Sequence, residues 1–284
     1  MASQRSFAEI VPEDQIEMIG GFPTPPVPKV RPFHALSSVI KLLINKEDTR
    51  QVFEVVGALA GASSKHKFRK LVATEFGRRS VSEPIKLEEI LGDREELRKL
   101  PEGSFGRAYL AFMEGQNLTP DGLTEAADEA GIDYECDTQF EEFRRMYLNL
   151  EVSHDLWHVL TGYNRDALGE ICLLGFTRAQ TCNPGFRLII WVAAIAQKLE
   201  QPSQPIWRAI DQGVEMGKSS EWLMGQDVIA LLRLPLEEVR RKLKIIEPTI
   251  YNSVPQEIKD NLLKPRVEQT QAQRESGKNA AMAA

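Results

Sequence analysis

Cysteine is scarce. Only Cys136, Cys172 and Cys182 occur in 284 residues, and no two of them form a CxxC pair. Three thiols cannot pair completely, so the chain reads as a thiol-state, cytosol-type protein and not a disulfide scaffold. Positive charge is in deficit, with 35 Lys and Arg against 41 Asp and Glu and a net charge of −6. Nucleic acid as a partner is excluded on that ground, because phosphate binding wants clustered cations. Long apolar runs are missing as well. The longest, Leu188–Ala196, has nine residues bounded by Arg187 and Gln197-Lys198, half of the roughly 18 that a membrane span needs. It reads as a buried helix. The first twenty residues lack a charged-then-apolar signal pattern and contain acids that a mitochondrial presequence avoids. The expected location is therefore cytoplasmic. Strand signals are nearly absent, no repeat of fixed period occurs, and neither GxGxxG nor GxSxG is found. Gly213-Val-Glu-Met-Gly217-Lys218-Ser219 is one residue short of a phosphate loop and follows a helical stretch, which excludes the cradle such a loop must form.

What the chain does have is helical periodicity. Apolar residues make up 42% and charged residues 27%, enough to bury a core. Three-and-four spacing runs through His34–Ile44, Thr49–Ala60 and Lys67–Phe76, where Gly77 is expected to stop the helix. It continues through Lys86–Leu100, Phe105–Glu114, a long stretch at Gln139–Leu160, then Ala167–Thr177, Phe186–Leu199, Ile206–Met216, Ser220–Leu232 and Leu236–Lys244. Turns are expected at Pro101–Ser104 and Thr119–Gly122. The fold class is all-α: an irregular, proline-rich extended arm over 1–32, one helical domain over 33–250, and a C-terminal extension over 251–284 whose last part, 266–284, reads as a disordered tail.

Four histidines occur, and two of them fall four apart in Ser153-His154-Asp155-Leu156-Trp157-His158. At about 100° per residue, His154, Asp155 and His158 point to roughly 0°, 100° and 40° around a helix. Two imidazoles and a carboxylate thus crowd one patch among Leu156, Val159 and Leu160. Buried together, they need a partner or must neutralise. A divalent cation is the simplest partner, and imidazole with carboxylate suits zinc, iron or manganese. A further ligand comes from Glu170 if the chain reverses at Gly162–Arg165. Along an unbroken helix Glu170 would lie about 18 Å beyond His158. Gly162 can end the first helix, Asn164 suits the turn, and Asp166 can cap the next helix. The same residues also fit a hydrogen-bonded structural set, and spacing alone leaves both readings open. His34 and His66 look solvated, Cys172 looks like packing, and Arg144, Arg145 and Arg165 bracket the motif as candidate carboxylate binders.

The stretch HDLWHVLTGYNRDALGE, His154–Glu170, closely resembles the coenzyme Q (ubiquinone) biosynthesis protein 4 family, whose marker is HDxxH, eleven residues, then E. Asn45–Thr49 followed by Val52-Phe53-Glu54 is similar to that family's N-terminal helix pair. Leu100–Gly106 with Tyr109 is similar to its LPEGTLG-type turn, with Ser104-Phe105 in place of Thr-Leu, and Pro235–Arg240 closes a resemblance spanning about 33–246. The resemblance implies an all-α protein that holds a divalent metal, zinc ranked first, on His154, Asp155, His158 and Glu170, with Asp155 and Glu170 as catalytic groups. It implies removal of the C1 carboxylate from a polyprenylated 4-hydroxybenzoate, with or without C1 hydroxylation. The implied partners are that prenylated aromatic substrate, other ubiquinone-biosynthesis enzymes and a peripheral contact on the inner membrane face, with a homo-oligomer left open. A non-catalytic prenyl-lipid-binding scaffold is the competing expectation, and a metal hydrolase unrelated to quinones a third.

Overall fold

The structure, a computed structural model, describes residues 7, 10–44, 50–83, 85–116, 132–134 and 138–263. Cys136, the turn expected at 119–122 and the tail 266–284 lie outside the described residues. The chain opens with a 3-10 turn and a two-stranded antiparallel hairpin, β1 Glu17–Ile19 and β2 Phe22–Thr24, with Met18 opposite Pro23. Sixteen helices follow among the described residues. They are α1 Pro32–Ile44, α2 Arg50–Ala58, α3 Ser63–Val72, α4 Glu75–Ser82, α5 Leu87–Gly92, α6 Arg94–Arg98, α7 Phe105–Gly115 and α8 Glu141–Val152. After them come α9 His154–Thr161, α10 Ala167–Thr181, α11 Pro184–Glu200, α12 Ile206–Ser219, α13 Val228–Leu231, α14 Leu236–Lys242, α15 Thr249–Asn252 and α16 Gln256–Asn261. The all-α class holds, and the two short strands are the one β element among the described residues.

Sequence periodicity placed most helices within a few residues and misjudged some breaks. The stretch read as one helix over Gln139–Leu160 is two, α8 and α9, parted at Ser153. The Ser153 hydroxyl donates to the Asn149 carbonyl at 2.6 Å, the back-bonding that diverts a helix. Gly77 does not stop a helix. It sits in the first turn of α4, where its N–H donates to the Thr74 cap at 3.1 Å. Lys86–Leu100 holds two short helices split by Asp93, which caps α6 through the Glu96 N–H at 3.0 Å. Ser220–Leu232 keeps only a 3-10 turn and α13. The hairpin in the N-terminal arm turns through Gly20-Gly21, both at positive φ, a Gly-Gly pair that favours this turn.

The main core runs through Phe105, Tyr109, Leu156, Trp157, Leu168, Phe176, Met216 and Val239, all nearly or fully buried. Its tightest packing is between α10 and α12. Gly213, part of the failed phosphate loop, lies in α12 so close to the Cys172 carbonyl that a Cβ there would overlap it. The glycine spacing therefore serves helix contact, and Cys172, fully buried, is packing as expected. A smaller cluster of Ala35, Val39, Val55, Ala58 and Ile189 joins α1, α2 and α11. The run Leu188–Ala196 lies in α11 but is not wholly buried: Ile189, Ile190 and Ala194 face inward, while Trp191 is 60% exposed and Ile195 37%. An all-apolar helix reads as buried on every side, yet among the described residues the helices packed on α11 leave Trp191 and Ile195 uncovered.

Candidate metal centre

Helix α9 ends because Gly162 takes φ +75°, a left-handed turn that returns its N–H to the His158 carbonyl at 2.9 Å. Arg240 on α14 secures that end. Its guanidinium donates to the Leu160 and Val159 carbonyls, each at 2.9 Å, satisfying acceptors that the helix leaves open. The chain reverses over 162–166, and Asp166 starts α10 by accepting the N–H groups of Leu168 at 3.1 Å and Gly169 at 3.0 Å. Glu170 follows one turn later, carried back beside α9.

The reversal brings three donors together. His158 Nε2 lies 3.5 Å from Glu170 Oε1, and His154 Nε2 lies 3.9 Å from Glu170 Oε2. One ligand atom from each of the three side chains falls within 4.8 Å of the others. Two donors about 2.1 Å from one ion in tetrahedral array stand about 3.4 Å apart, so the set is close to the size a cation requires. The tautomer of His158 supports that fit. Its Nδ1 is 2.9 Å from the Tyr163 carbonyl, which can only accept, so Nδ1 carries the hydrogen and the neutral ring presents a lone pair at Nε2. That Nε2 is buried without a hydrogen-bond partner and faces a carboxylate. A lone pair facing an anion is the arrangement a cation resolves. Phe112 stacks on the His158 ring, with centroids 5.6 Å apart, and keeps that side dry.

Asp155 stands apart from the three. Its Oδ1 is 3.4 Å from His154 Nδ1, the ring nitrogen turned away from Glu170. Arg165 sits at the mouth, with Nε 3.6 Å from Glu170 Oε1. Arg144 and Arg145 do not reach the site. Both pair with Glu141, and Arg145 also donates to the Val81 and Glu83 carbonyls. His34 is not simply solvated, because its Nε2 meets Glu54 at 2.8 Å. Behind the histidine helix lies an apolar cavity of about 50 Å³ lined by Phe105, Leu156, Trp157, Leu160 and Leu231. The run 188–196 does not contribute to its lining.

Burial alone would lower the pKa of His154, but the Asp155 contact and the Glu170 charge outweigh it and hold the ring above its ordinary value of 6.5. Burial would raise Glu170, yet both histidines pull it below its ordinary 4.5. The His154 contribution to metal-free stability is full below pH 6.5 and is lost as pH rises through the raised value. The Glu170 contribution is full above pH 4.5 and is lost as pH falls through the lowered one. Chelator-treated protein is therefore expected to show its highest Tm contribution from this cluster between those limits. Added divalent metal, which needs deprotonated imidazole, should raise Tm more above that window than inside it. Thermal melts across pH with and without metal check both trends.

Sequence reasoning missed Tyr251. It is buried, its hydroxyl donates to Asp166 Oδ2, and the Asn164 N–H donates to it at 3.2 Å. Its ring packs edge-on against Tyr163 at 5.4 Å. Nothing in local spacing links position 251 to the reversal; only the folded chain does. Tyr251→Phe keeps the ring and leaves the Asp166 carboxylate one donor short. It is expected to cost about 1–2 kcal/mol and to loosen the turn that carries Glu170, seen as a lower Tm with faster amide exchange at 164–169.

The profile of the family described as Coenzyme Q (ubiquinone) biosynthesis protein Coq4 matches residues 24–249. A bovine protein named ubiquinone biosynthesis protein COQ4 homolog, mitochondrial, is 31% identical over 158 residues, covering 56% of each chain. The Anopheles gambiae homolog is 29% identical, covering 42% of this chain and 40% of its own. The match thus spans about half the length of these relatives, while that to the Mycosarcoma maydis protein, 24% identical, covers 88% of this chain and 73% of the relative. A crystal structure from Nostoc punctiforme, of a protein ascribed to ubiquinone biosynthesis, shares the fold with a TM-score of 0.53 at 21% identity, covering 76% of this chain and 99% of that one. The profile spans the helical region from α1 to α14 and includes the whole His154–Glu170 reversal, and so the chain belongs to the Coq4 family.

Proposed function

We propose that this chain acts in ubiquinone biosynthesis as a metal-dependent decarboxylase that removes the C1 carboxylate of a polyprenylated 4-hydroxybenzoate. The observation that carries the reading is the buried, unpartnered Nε2 of His158 facing Glu170 beside His154, within a chain of this family. His154, His158 and Glu170 would hold the ion. A divalent cation held there would orient the substrate carboxylate or stabilise developing phenolate charge. In the reaction the bond between C1 and the carboxylate breaks, CO2 leaves, and C1 takes up a proton in its place.

The chain's own groups have separable tasks in this proposal. Asp155 faces the outer nitrogen of His154, so of its candidate roles, ligand, proton donor or orienting group, the geometry favours orienting the imidazole. Arg165 adds positive charge at the mouth, where an anionic head group enters. His154 leaves 26% of its side chain exposed, so the C1 proton has a path from solvent. Zinc is the first metal to try, because two imidazoles and one carboxylate leave the open fourth position of a catalytic zinc site.

The test is purified protein with added zinc, iron or manganese and a short-chain prenyl 4-hydroxybenzoate, assayed for CO2 release with and without oxygen. Release without other proteins, absent in Glu170→Gln, supports the enzyme. Release that requires oxygen and yields a C1 hydroxyl supports the oxidative form. Tight substrate binding with no turnover under any condition overturns the enzyme reading in favour of a lipid-binding scaffold.

A further inference from the structure

One carboxylate oxygen in the centre has two claimants. Glu170 Oε1 lies 3.5 Å from His158 Nε2, the nitrogen that presents a lone pair, and 3.6 Å from Arg165 Nε. Arg165 stands in the reversal between α9 and α10 with 40% of its side chain exposed. At 3.6 Å its guanidinium meets Glu170 as an ion pair without a hydrogen bond, a half-exposed contact that exchanges readily. The backbone beneath is fastened separately. The Arg165 N–H donates to the Asn164 side-chain oxygen at 2.9 Å, and the Gln116 amide at the end of α7 donates to that same oxygen at 3.4 Å. The side chain can therefore swing while the turn stays in place.

Local charge decides what the swing does. The centre carries two carboxylates, Asp155 and Glu170, and one guanidinium, Arg165. Its two imidazoles must be neutral to hold a metal. Those groups sum to a charge of −1, which a divalent ion reverses to +1. An aromatic carboxylate is thus repelled before the ion arrives and attracted afterwards. Arg165 changes partner at the same moment. An ion that takes Glu170 Oε1 removes the counter-charge of Arg165 and repels its guanidinium, and the planar fork then fits a carboxylate at the mouth. The charge of Arg165 also bears on Asp155 and His154, so it stands over the whole centre.

We propose that Arg165 is an exchangeable counter-ion, which holds Glu170 until a divalent ion takes that oxygen and then turns outward to bind the carboxylate of the incoming aromatic acid. Metal therefore binds first and the anion second. The inference rests on the reading of His154, His158 and Glu170 as a metal centre for an aromatic acid, and not on whether CO2 is released.

The experiment is calorimetric titration of the full chain with zinc, then of the zinc-loaded chain with 4-hydroxybenzoate, for wild type, Arg165→Ala and Arg165→Lys. Arg165→Ala removes a competitor and a like charge, so zinc is expected to bind about 3- to 30-fold more tightly, opposite in sign to the loss in Glu170→Gln. 4-Hydroxybenzoate should bind zinc-loaded Arg165→Ala about 10-fold more weakly than wild type. Arg165→Lys keeps the charge and should return zinc affinity to that of wild type. Phenylglyoxal reads the swing directly. Mapped by peptide mass, it should modify Arg165 faster once zinc is added to chelator-treated protein, and 4-hydroxybenzoate should then protect it. The position is exposed, and an unchanged Tm of the chelator-treated variants verifies folding. If wild type binds zinc and Arg165→Ala binds it equally or more weakly, the proposal alone is overturned. Modification that zinc leaves unchanged or slows, or anion affinity that Arg165→Ala leaves unchanged, overturns it too. Zinc that does not bind wild type overturns the metal centre itself and the proposal with it. No turnover is measured, so a zinc-binding scaffold without catalysis passes or fails on the same terms.

Discussion

Glu170→Gln should lower divalent-metal affinity by about 100-fold or more while leaving the helical content unchanged. The substitution replaces one carboxylate oxygen with an amide nitrogen and keeps the shape. An amide carries no charge to balance the ion, and its nitrogen is no ligand. Changing groups that only support ligands typically costs 10- to 100-fold in affinity, so loss of a direct donor lies at the upper end or beyond. His158 feels the change most, since Glu170 Oε1 is its nearest facing group at 3.5 Å and its Nε2 has no other partner. His158→Ala should lose metal as severely, but it also removes a buried ring stacked on Phe112, so the isosteric Gln is the cleaner test. Metal content after dialysis and calorimetric titration give the comparison. Unchanged affinity in Glu170→Gln would remove Glu170 from the site.

Gly169→Ala should be the most damaging single methyl in the reversal. A Cβ at 169 falls far inside contact with the Asn164 carbonyl oxygen and crowds the backbone on both sides of it. The neighbour is main chain and cannot swing away. Moving Gly169 would stretch its N–H from Asp166 Oδ1, now 3.0 Å away, and undo the cap of α10. Relief therefore costs either overlap or the cap, and about 2–4 kcal/mol of stability is expected to go. For a domain of this size that is a fall of about 5–10 °C in Tm. Metal affinity should drop with it, because Glu170 follows directly. Gly115→Ala is the control: nothing lies within 4 Å of an added Cβ there, and Tm should hold or rise slightly. Equal melting of the two variants would show that the reversal is looser than described.

The reversal was legible because its determinants are local. The spacing of His154 and His158 fixes a shared helix side, Gly162 permits a left-handed end, and Asp166 supplies a cap. Each acts within a few residues of where it is written, so reading them in order places Glu170 beside the imidazoles. Features that need a distant neighbour stayed hidden. Periodicity carried a continuous helix through Ser153, since the break depends on a hydroxyl turning back to Asn149. The apolar run 188–196 reads as buried because composition does not tell how many sides of a helix are covered. Arg240 fell inside the recognised Pro235–Arg240 block, yet its hold on the last carbonyls of α9 spans 80 residues and leaves no trace in spacing. The separation of Asp155 from the three donors also follows from side-chain direction, which the angular reading of about 100° from His154 hinted at without deciding.

The fastening of the turn by Tyr251 bears on how the protein is made. Asp166 and Tyr251 are 85 positions apart. At about 5–20 residues per second of synthesis, the ribosome needs roughly 4–17 s to deliver the tyrosine after the aspartate. For that interval the reversal lacks the hydroxyl that secures its cap, and for most of it lacks Arg240, which holds the end of α9. The turn that carries Glu170 is therefore fully fastened only once the C-terminal helices have been made.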